Sequence, residues 1–215
     1  MKQKTLFTLA LACLLGAFIF AALIHNVEPE EAAGPSADPA LLLRADSPSL
    51  GPASAPVVIV EFLDPACETC AAFYPLVKQI IAGDPSRIRL VLRYAPFHKG
   101  SDQVVAALEA ARRQDKFWPA LEALLANQRD WVQNHAAQPE RIWPLLERAG
   151  LDLARLRQDM AAPAIGDLIT RELMDAQALG VRKTPDFFVN GRPLPRFGEE
   201  PLREAVAAAL RKAKP

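Results

Sequence analysis

Two thiols three residues apart, Cys67 and Cys70, mark the point where one sequence pattern gives way to another. Before them, Val57-Val58-Ile59-Val60-Glu61-Phe62-Leu63 is an apolar run interrupted by one acid, the pattern of a buried strand. After them, residues 71–81 read as a helix. At the start of a helix the first N–H groups have no intrahelical partner and stabilise a thiolate. The three-residue spacing lets the second thiol reach back and resolve a mixed disulfide formed by the first. Strand, CxxC and helix in that order predict a thiol–disulfide redox site, a stronger signal than CxxC alone.

Two plainer uses of the pair compete with that reading. A structural zinc site needs four closed ligands. The one other cysteine, Cys13, lies in an apolar run, and His25, His98 and His135 are not paired at ligand spacing, so no metal is expected. A purely structural disulfide closing so small a ring removes little entropy from the unfolded chain. Three cysteines in 215 residues also argue against a disulfide-stapled scaffold, so the core must come from apolar burial. With 25 basic and 25 acidic side chains the chain carries no formal net charge, which gives nucleic acid no electrostatic reason to bind.

Residues 1–25 read as a signal-anchor or transmembrane segment. Lys2 and Lys4 precede a stretch without charge, residues 5–24, whose 20 residues match the ~30 Å hydrocarbon thickness of a bilayer. The stretch is longer than the apolar core of a secretory signal, and its exit, Ala22-Leu23-Ile24-His25-Asn26, makes a poor cleavage site. An uncleaved inner-membrane anchor is favoured over a cleaved signal that would free a soluble periplasmic domain. Lysines before the span and Glu28, Glu30 and Glu31 after it place the N-terminus inside and the rest outside. Leu14-Leu15 continue the apolar run past Cys13, which reads as a small apolar residue of that helix, not a lipidation site. Residues 26–40, acidic and proline-bearing, form a flexible linker.

The folded domain is expected over residues 41–215. Leu41-Leu42-Leu43-Arg44 suggests an edge strand, and residues 47–52 turn the chain into the central strand. Residues 83–86 make a turn into Ile88-Arg89-Leu90-Val91-Leu92-Arg93-Tyr94, so strand, helix and strand make a βαβ unit with parallel strands. From about 102 to 180 no strand pattern occurs, and apolar spacing predicts about five helices with Trp118, Trp131 and Trp143 in their core. Asp186-Phe187-Phe188-Val189 is a strand, Asn190-Gly191 a hairpin signal, residues 192–197 the returning strand and residues 202–213 an amphipathic closing helix.

The order of these motifs over the whole domain resembles the DsbA-like disulfide oxidoreductases of the thioredoxin fold. The resemblance rests on Glu61-Phe62-Leu63-Asp64-Pro65-Ala66-Cys67-Glu68-Thr69-Cys70, on Pro75 in the following helix, and on Thr184-Pro185 before the hairpin. It implies an α/β thioredoxin fold with a helical insertion at 102–180. It also implies Cys67 as the exposed nucleophile, Cys70 as the buried resolving thiol, and a cis bond at Pro185 whose neighbour Thr184 offers backbone to an extended substrate. No cofactor is implied. Glu61 is read as a proton relay for Cys70, with an ion-paired structural acid as the alternative. The partners implied are exported substrate proteins and a membrane redox partner, either a quinone-linked oxidase or a thiol reductase. The direction favoured is disulfide donation. A reductase or isomerase, and a non-catalytic metal-binding or chaperone module, are the alternatives. Many members carry a histidine between the cysteines. Glu68-Thr69 stands there instead, and a carboxylate beside Cys67 should make the couple less oxidising. His98 reads as a loop residue that could border the site.

Overall fold

The computed structural model describes residues 36–213, so the expected span at 5–24, Cys13 and most of the linker lie outside the described residues. Among the described residues no helix is long and apolar enough to cross a membrane. The first described residues are attached to the fold: Ala37 N–H donates to Gly191 O at 2.8 Å, and Asp38 caps a short helix α1, Pro39–Leu42. That helix replaces the expected edge strand. Asp38 at the N-cap and Pro39 in the first turn are helix-start residues, and they outweigh the three leucines' strand character.

The chain then forms β1 (Ser49–Leu50), β2 (Val57–Leu63), α2 (Glu68–Gly83) and β3 (Ile88–Tyr94). Strands β2 and β3 run parallel in the register Val57↔Ile88 to Leu63↔Tyr94, as the strand–helix–strand pattern predicts. After the insertion come β6 (Asp186–Val189), β7 (Arg192–Pro193) and the closing helix α9 (Glu199–Lys212). The sheet order is β1-β3-β2-β6-β7, with β6 antiparallel to β2. The returning strand is two residues long, because Pro193 and Pro195 remove ladder donors from the stretch expected to pair.

Alternation along β2 sorts its side chains between two faces. Val57 and Ile59 pack with Leu76, Val77 and Ile80 of α2 and with Leu202 and Val206 of α9. Val60 and Phe62 pack on the other face with Val91, Ala176 and Phe188. Glu61 falls on the first face, between Ile59 and Leu63, and is fully buried.

The insertion holds α3 (Ser101–Arg112), α4 (Phe117–Ala126), α5 (Gln128–Trp131), α6 (Trp143–Arg148), α7 (Leu153–Met160) and α8 (Pro163–Ala178). It also holds a two-stranded hairpin, β4 (Val132–Gln133) and β5 (Ala136–Ala137), where no strand was expected. Its turn, Asn134-His135, has φ of 50° and 57°, the positive pair that a tight two-residue hairpin needs. Trp131 is fully buried, whereas Trp118 and Trp143 are only partly so and pack at the edge of the core. That core is continuous with the CxxC: Val104, Leu108, Leu121, Leu124 and Trp131 belong to the same apolar cluster as Cys67, Cys70 and Tyr74.

The face of the sheet toward α8 holds a buried ionic cluster. Arg93 Nε meets Glu172 Oε2 at 2.8 Å and Arg93 Nη2 meets Asp175 Oδ2 at 2.7 Å, with Arg44 Nη2 on the far oxygen of Asp175 at 2.7 Å. Arg93 also donates to the carbonyls of Leu41 and Leu42, and Tyr94 N–H donates to Glu172 Oε2 at 2.9 Å. One guanidinium thereby ties β3, α8 and α1 together.

Candidate active site

The turn between β2 and α2 is built around Asp64, which is fully buried. Its carboxylate accepts from Ala66 N–H at 2.9 Å, His98 N–H at 2.8 Å and the hydroxyl of Ser101, and its carbonyl accepts from Cys67 N–H at 3.0 Å. The His98 ring nitrogen Nδ1 lies 2.7 Å from Asp64 Oδ2. From the insertion, the Gln128 amide donates to Pro65 O at 2.8 Å and to Cys67 O at 3.0 Å. Pro65 O thus gains a donor in a buried turn, and Cys67 O, which also accepts from Ala71 N–H at 3.2 Å, gains a second.

Cys67 is the N-cap of α2 and Cys70 lies within its first turn. Both thiols are free. Cys70 N–H points to Cys67 Sγ at 3.4 Å, so the cap position aims a backbone dipole at the sulfur. On its other side Cys67 Sγ lies 3.2 Å from Thr184 O, and the Thr184–Pro185 peptide is cis. The five residues Cys67, Cys70, Glu61, Thr184 and Pro185 are therefore gathered from β2, α2 and the loop before β6. Cys70 is fully buried, as expected, but Cys67 is only 5% exposed. The loop carrying Thr184 and Pro185 lies over the sulfur, so the expected exposed nucleophile has only a narrow opening. Pro75 sits inside α2, where it cannot donate the intrahelical bond.

These surroundings separate the two thiols. A hydrogen bond from the Cys70 thiol, a bond with Thr184 and the N–H groups of Cys70 and Thr69 outweigh burial and lower the Cys67 pKa to about 6. Burial, then the neighbouring Cys67, raises Cys70 well above an ordinary thiol. At neutral pH the outer sulfur is a thiolate and the inner one holds its proton.

Burial, followed by the charge of Cys67, pushes Glu61 up to about 8. Neither of its oxygens has a hydrogen-bond partner among the described residues, which removes the charged partner that the structural-acid alternative required. A raised carboxyl destabilises the fold once the unfolded chain releases the proton that the folded one keeps. The contribution is at its best below about 4.5, the ordinary value, and is lost as the pH rises through about 8. In the reduced protein, where the Cys67 charge adds to burial, Glu61→Gln is expected to be more stable than the parent at pH 8, with the gap closing toward pH 4.5. Urea unfolding at a series of pH values measures this, and a gap independent of pH would assign Glu61 an ordinary ionisation.

Residues that the sequence did not single out complete the surroundings. Asp64 stood inside the quoted motif without a role, and Gln128 had no local signal because its partners are 61 and 63 residues away. Glu68 turns outward to His135, with Nδ1 to Oε1 at 3.1 Å, and the His98 and His135 ring centroids are 6.5 Å apart. His98 thus borders the site, and the histidines left unpaired by sequence spacing are brought beside Glu68 by the hairpin.

Known proteins sharpen this picture. The sequence model of the family described as Thioredoxin matches residues 44–208. A thioredoxin-like oxidoreductase from Silicibacter pomeroyi DSS-3 superposes with a TM-score of 0.71 at 32% identity, covering 83% of this chain and 100% of that one. BdbD from Bacillus subtilis, in its oxidised form, shares the fold at a TM-score of 0.70 and 22% identity, covering 84% of this chain and 98% of that one. A probable disulfide bond formation protein D from Bacillus cereus is 28% identical over 172 residues, 76% of this chain and 79% of that protein. The Na(+)/H(+) antiporter NhaA of Herminiimonas arsenicoxydans is 33% identical over 144 residues, 67% of this chain, and the chain spans about a quarter or less of the length of such antiporters. With the family match across the domain and a helical insertion between the CxxC and the cis-proline loop, the chain belongs to the thioredoxin family.

Proposed function

We propose that this protein is an extracytoplasmic thiol–disulfide oxidoreductase that donates the Cys67–Cys70 disulfide to exported proteins. The observation that carries this reading is the contrast between the two sulfurs. Cys67, capping α2, is held as a thiolate and is therefore a good leaving group, while Cys70 beneath it is held protonated. In the donating direction a substrate thiolate attacks Cys67 Sγ and the Cys67–Cys70 bond breaks. Cys70 leaves with the electron pair and takes a proton, for which Glu61, protonated up to about pH 8, is the donor. A second substrate thiolate attacks the substrate sulfur of the mixed disulfide and expels Cys67 as its stabilised thiolate. The substrate gains a disulfide and the protein holds two electrons, which a membrane redox partner such as a quinone-linked oxidase removes. Backbone at Thr184 beside the sulfur supplies an edge on which an extended substrate pairs.

The name of the Bacillus cereus relative, a disulfide bond formation protein, supports the donating direction. The charge-free residues 5–24 support attachment to the inner membrane with the domain outside. The test is the reduction potential of the pair, equilibrated with glutathione. A value between about −120 and −180 mV is expected for a donor. A value near −270 mV would instead make it a reductase or isomerase kept reduced by a thiol reductase. Absence of a reversible couple would overturn the redox reading and leave a binding module.

A further inference from the structure

We propose that Glu68, His98 and His135 form a binding site for a divalent transition-metal ion of the zinc type, at the rim of the CxxC. Three elements converge there: the first residue of α2, the loop before α3, and the tip of the β4–β5 hairpin. One ligand atom from each residue lies within 4.8 Å of the other two. Ligands on a tetrahedral zinc ion at about 2.1 Å stand roughly 3.4 Å from one another. Glu68 Oε1 and His135 Nδ1, at 3.1 Å, are already at that separation. The two sides to His98 are within 4.8 Å, and the Glu68 and His135 side chains, 53% and 79% exposed, are free to close them.

The third ligand is held in the way metal-binding histidines are held. Asp64 Oδ2 accepts from the backbone N–H of His98 at 2.8 Å and lies 2.7 Å from its Nδ1. A carboxylate can only accept, so Nδ1 carries the ring proton and Nε2 is the nitrogen left to act as a ligand. Carboxylate, imidazole and metal in series fix the tautomer and raise the basicity of the ligating nitrogen. Asp64 is buried and itself held by Ala66 N–H and the Ser101 hydroxyl, so this support is rigid. The hairpin bearing His135 is tied to the same loop, where Ala137 N–H donates to Lys99 O at 2.9 Å.

The donor set selects the metal class. Two imidazoles and one carboxylate suit zinc with a fourth position open, and are too nitrogen-rich for calcium or magnesium. The plainer account, a surface histidine–glutamate pair beside a hydrogen-bonded loop histidine, explains each contact separately but not their convergence. The site stands apart from the redox reading, since neither cysteine is among its ligands.

The test is titration of the full-length protein with zinc chloride in its oxidised form, where the Cys67–Cys70 disulfide leaves no thiol of the pair to bind metal. Calorimetry, or competition with a chromogenic chelator, is expected to show uptake of one equivalent. His135→Asn, which keeps a residue suited to the left-handed turn, and Glu68→Gln are each expected to weaken that uptake by about tenfold or more. The proposal is overturned by no uptake in the oxidised protein, by uptake that requires free thiols, or by uptake unchanged in both variants. Failure of the reversible redox couple would leave this result untouched.

Discussion

Cys70→Ser is expected to stop turnover and leave the protein joined to its substrates through Cys67, while Cys67→Ser is expected to form no such adducts. The asymmetry follows from where the sulfurs lie. Cys67 has the small opening and the lowered pKa of about 6, so it remains a nucleophile when its neighbour is lost. Cys70 is fully sealed, and a serine there cannot displace the mixed disulfide. Removing either half of a unit that works together costs most of its rate, here on the order of 10³-fold or more. Incubation with a disulfide-bearing unfolded protein, whose disulfide the Cys67 thiolate attacks with release of one substrate thiolate, followed by non-reducing gels measures both results. Adducts retained in Cys67→Ser and absent from Cys70→Ser would exchange the two assignments.

Arg93→Met carries the largest expected loss of stability. The substitution keeps apolar bulk on β3 but leaves Glu172 and Asp175, both buried, without the cation between them. Breaking a buried pair by removing one partner costs about 3–5 kcal/mol, since the remaining charge is then desolvated without compensation. At roughly 2–4 °C per kcal/mol for a domain of this size, Tm falls by about 10 °C. Asp175 retains Arg44, so Glu172 is the more stranded of the two acids. Adding Glu172→Gln, which removes that charge, is expected to recover part of the loss. A double variant no more stable than Arg93→Met would show that the arginine acts through its bonds to Leu41 O and Leu42 O instead. Thermal unfolding of the three proteins separates these outcomes.

What could be read from the sequence was whatever is local and periodic. The alternation of Val57, Ile59, Glu61 and Leu63 placed the acid on the same face as its apolar neighbours, because side chains on a strand repeat every two residues. The start of α2, the parallel β2–β3 pair and the turn at Asn190-Gly191 were equally legible. The five site residues quoted from the motifs are brought together. The rest depended on distant partners. Arg93 gave no sign of a buried ionic cluster, because the acids that neutralise it lie 79 and 82 residues further on. The hairpin at 132–137 has two residues per strand and an Asn-His turn in place of Asn-Gly, too short for alternation to register. The exposure expected for Cys67 did not allow for how closely the Thr184–Pro185 loop, 117 residues away, lies against it. Leu41 to Leu43 have strand character on their own, and the Asp38-Pro39 start signal of α1 lies within an acidic, proline-bearing stretch.

Gln128 gives the insertion a mechanical part in the chemistry. Its side-chain amide holds the carbonyls of Pro65 and Cys67, so the backbone under the reactive sulfur hangs from a helix of the inserted block. A displacement of that helix is therefore carried to the peptide next to the thiol, and the block supports the site as well as covering it.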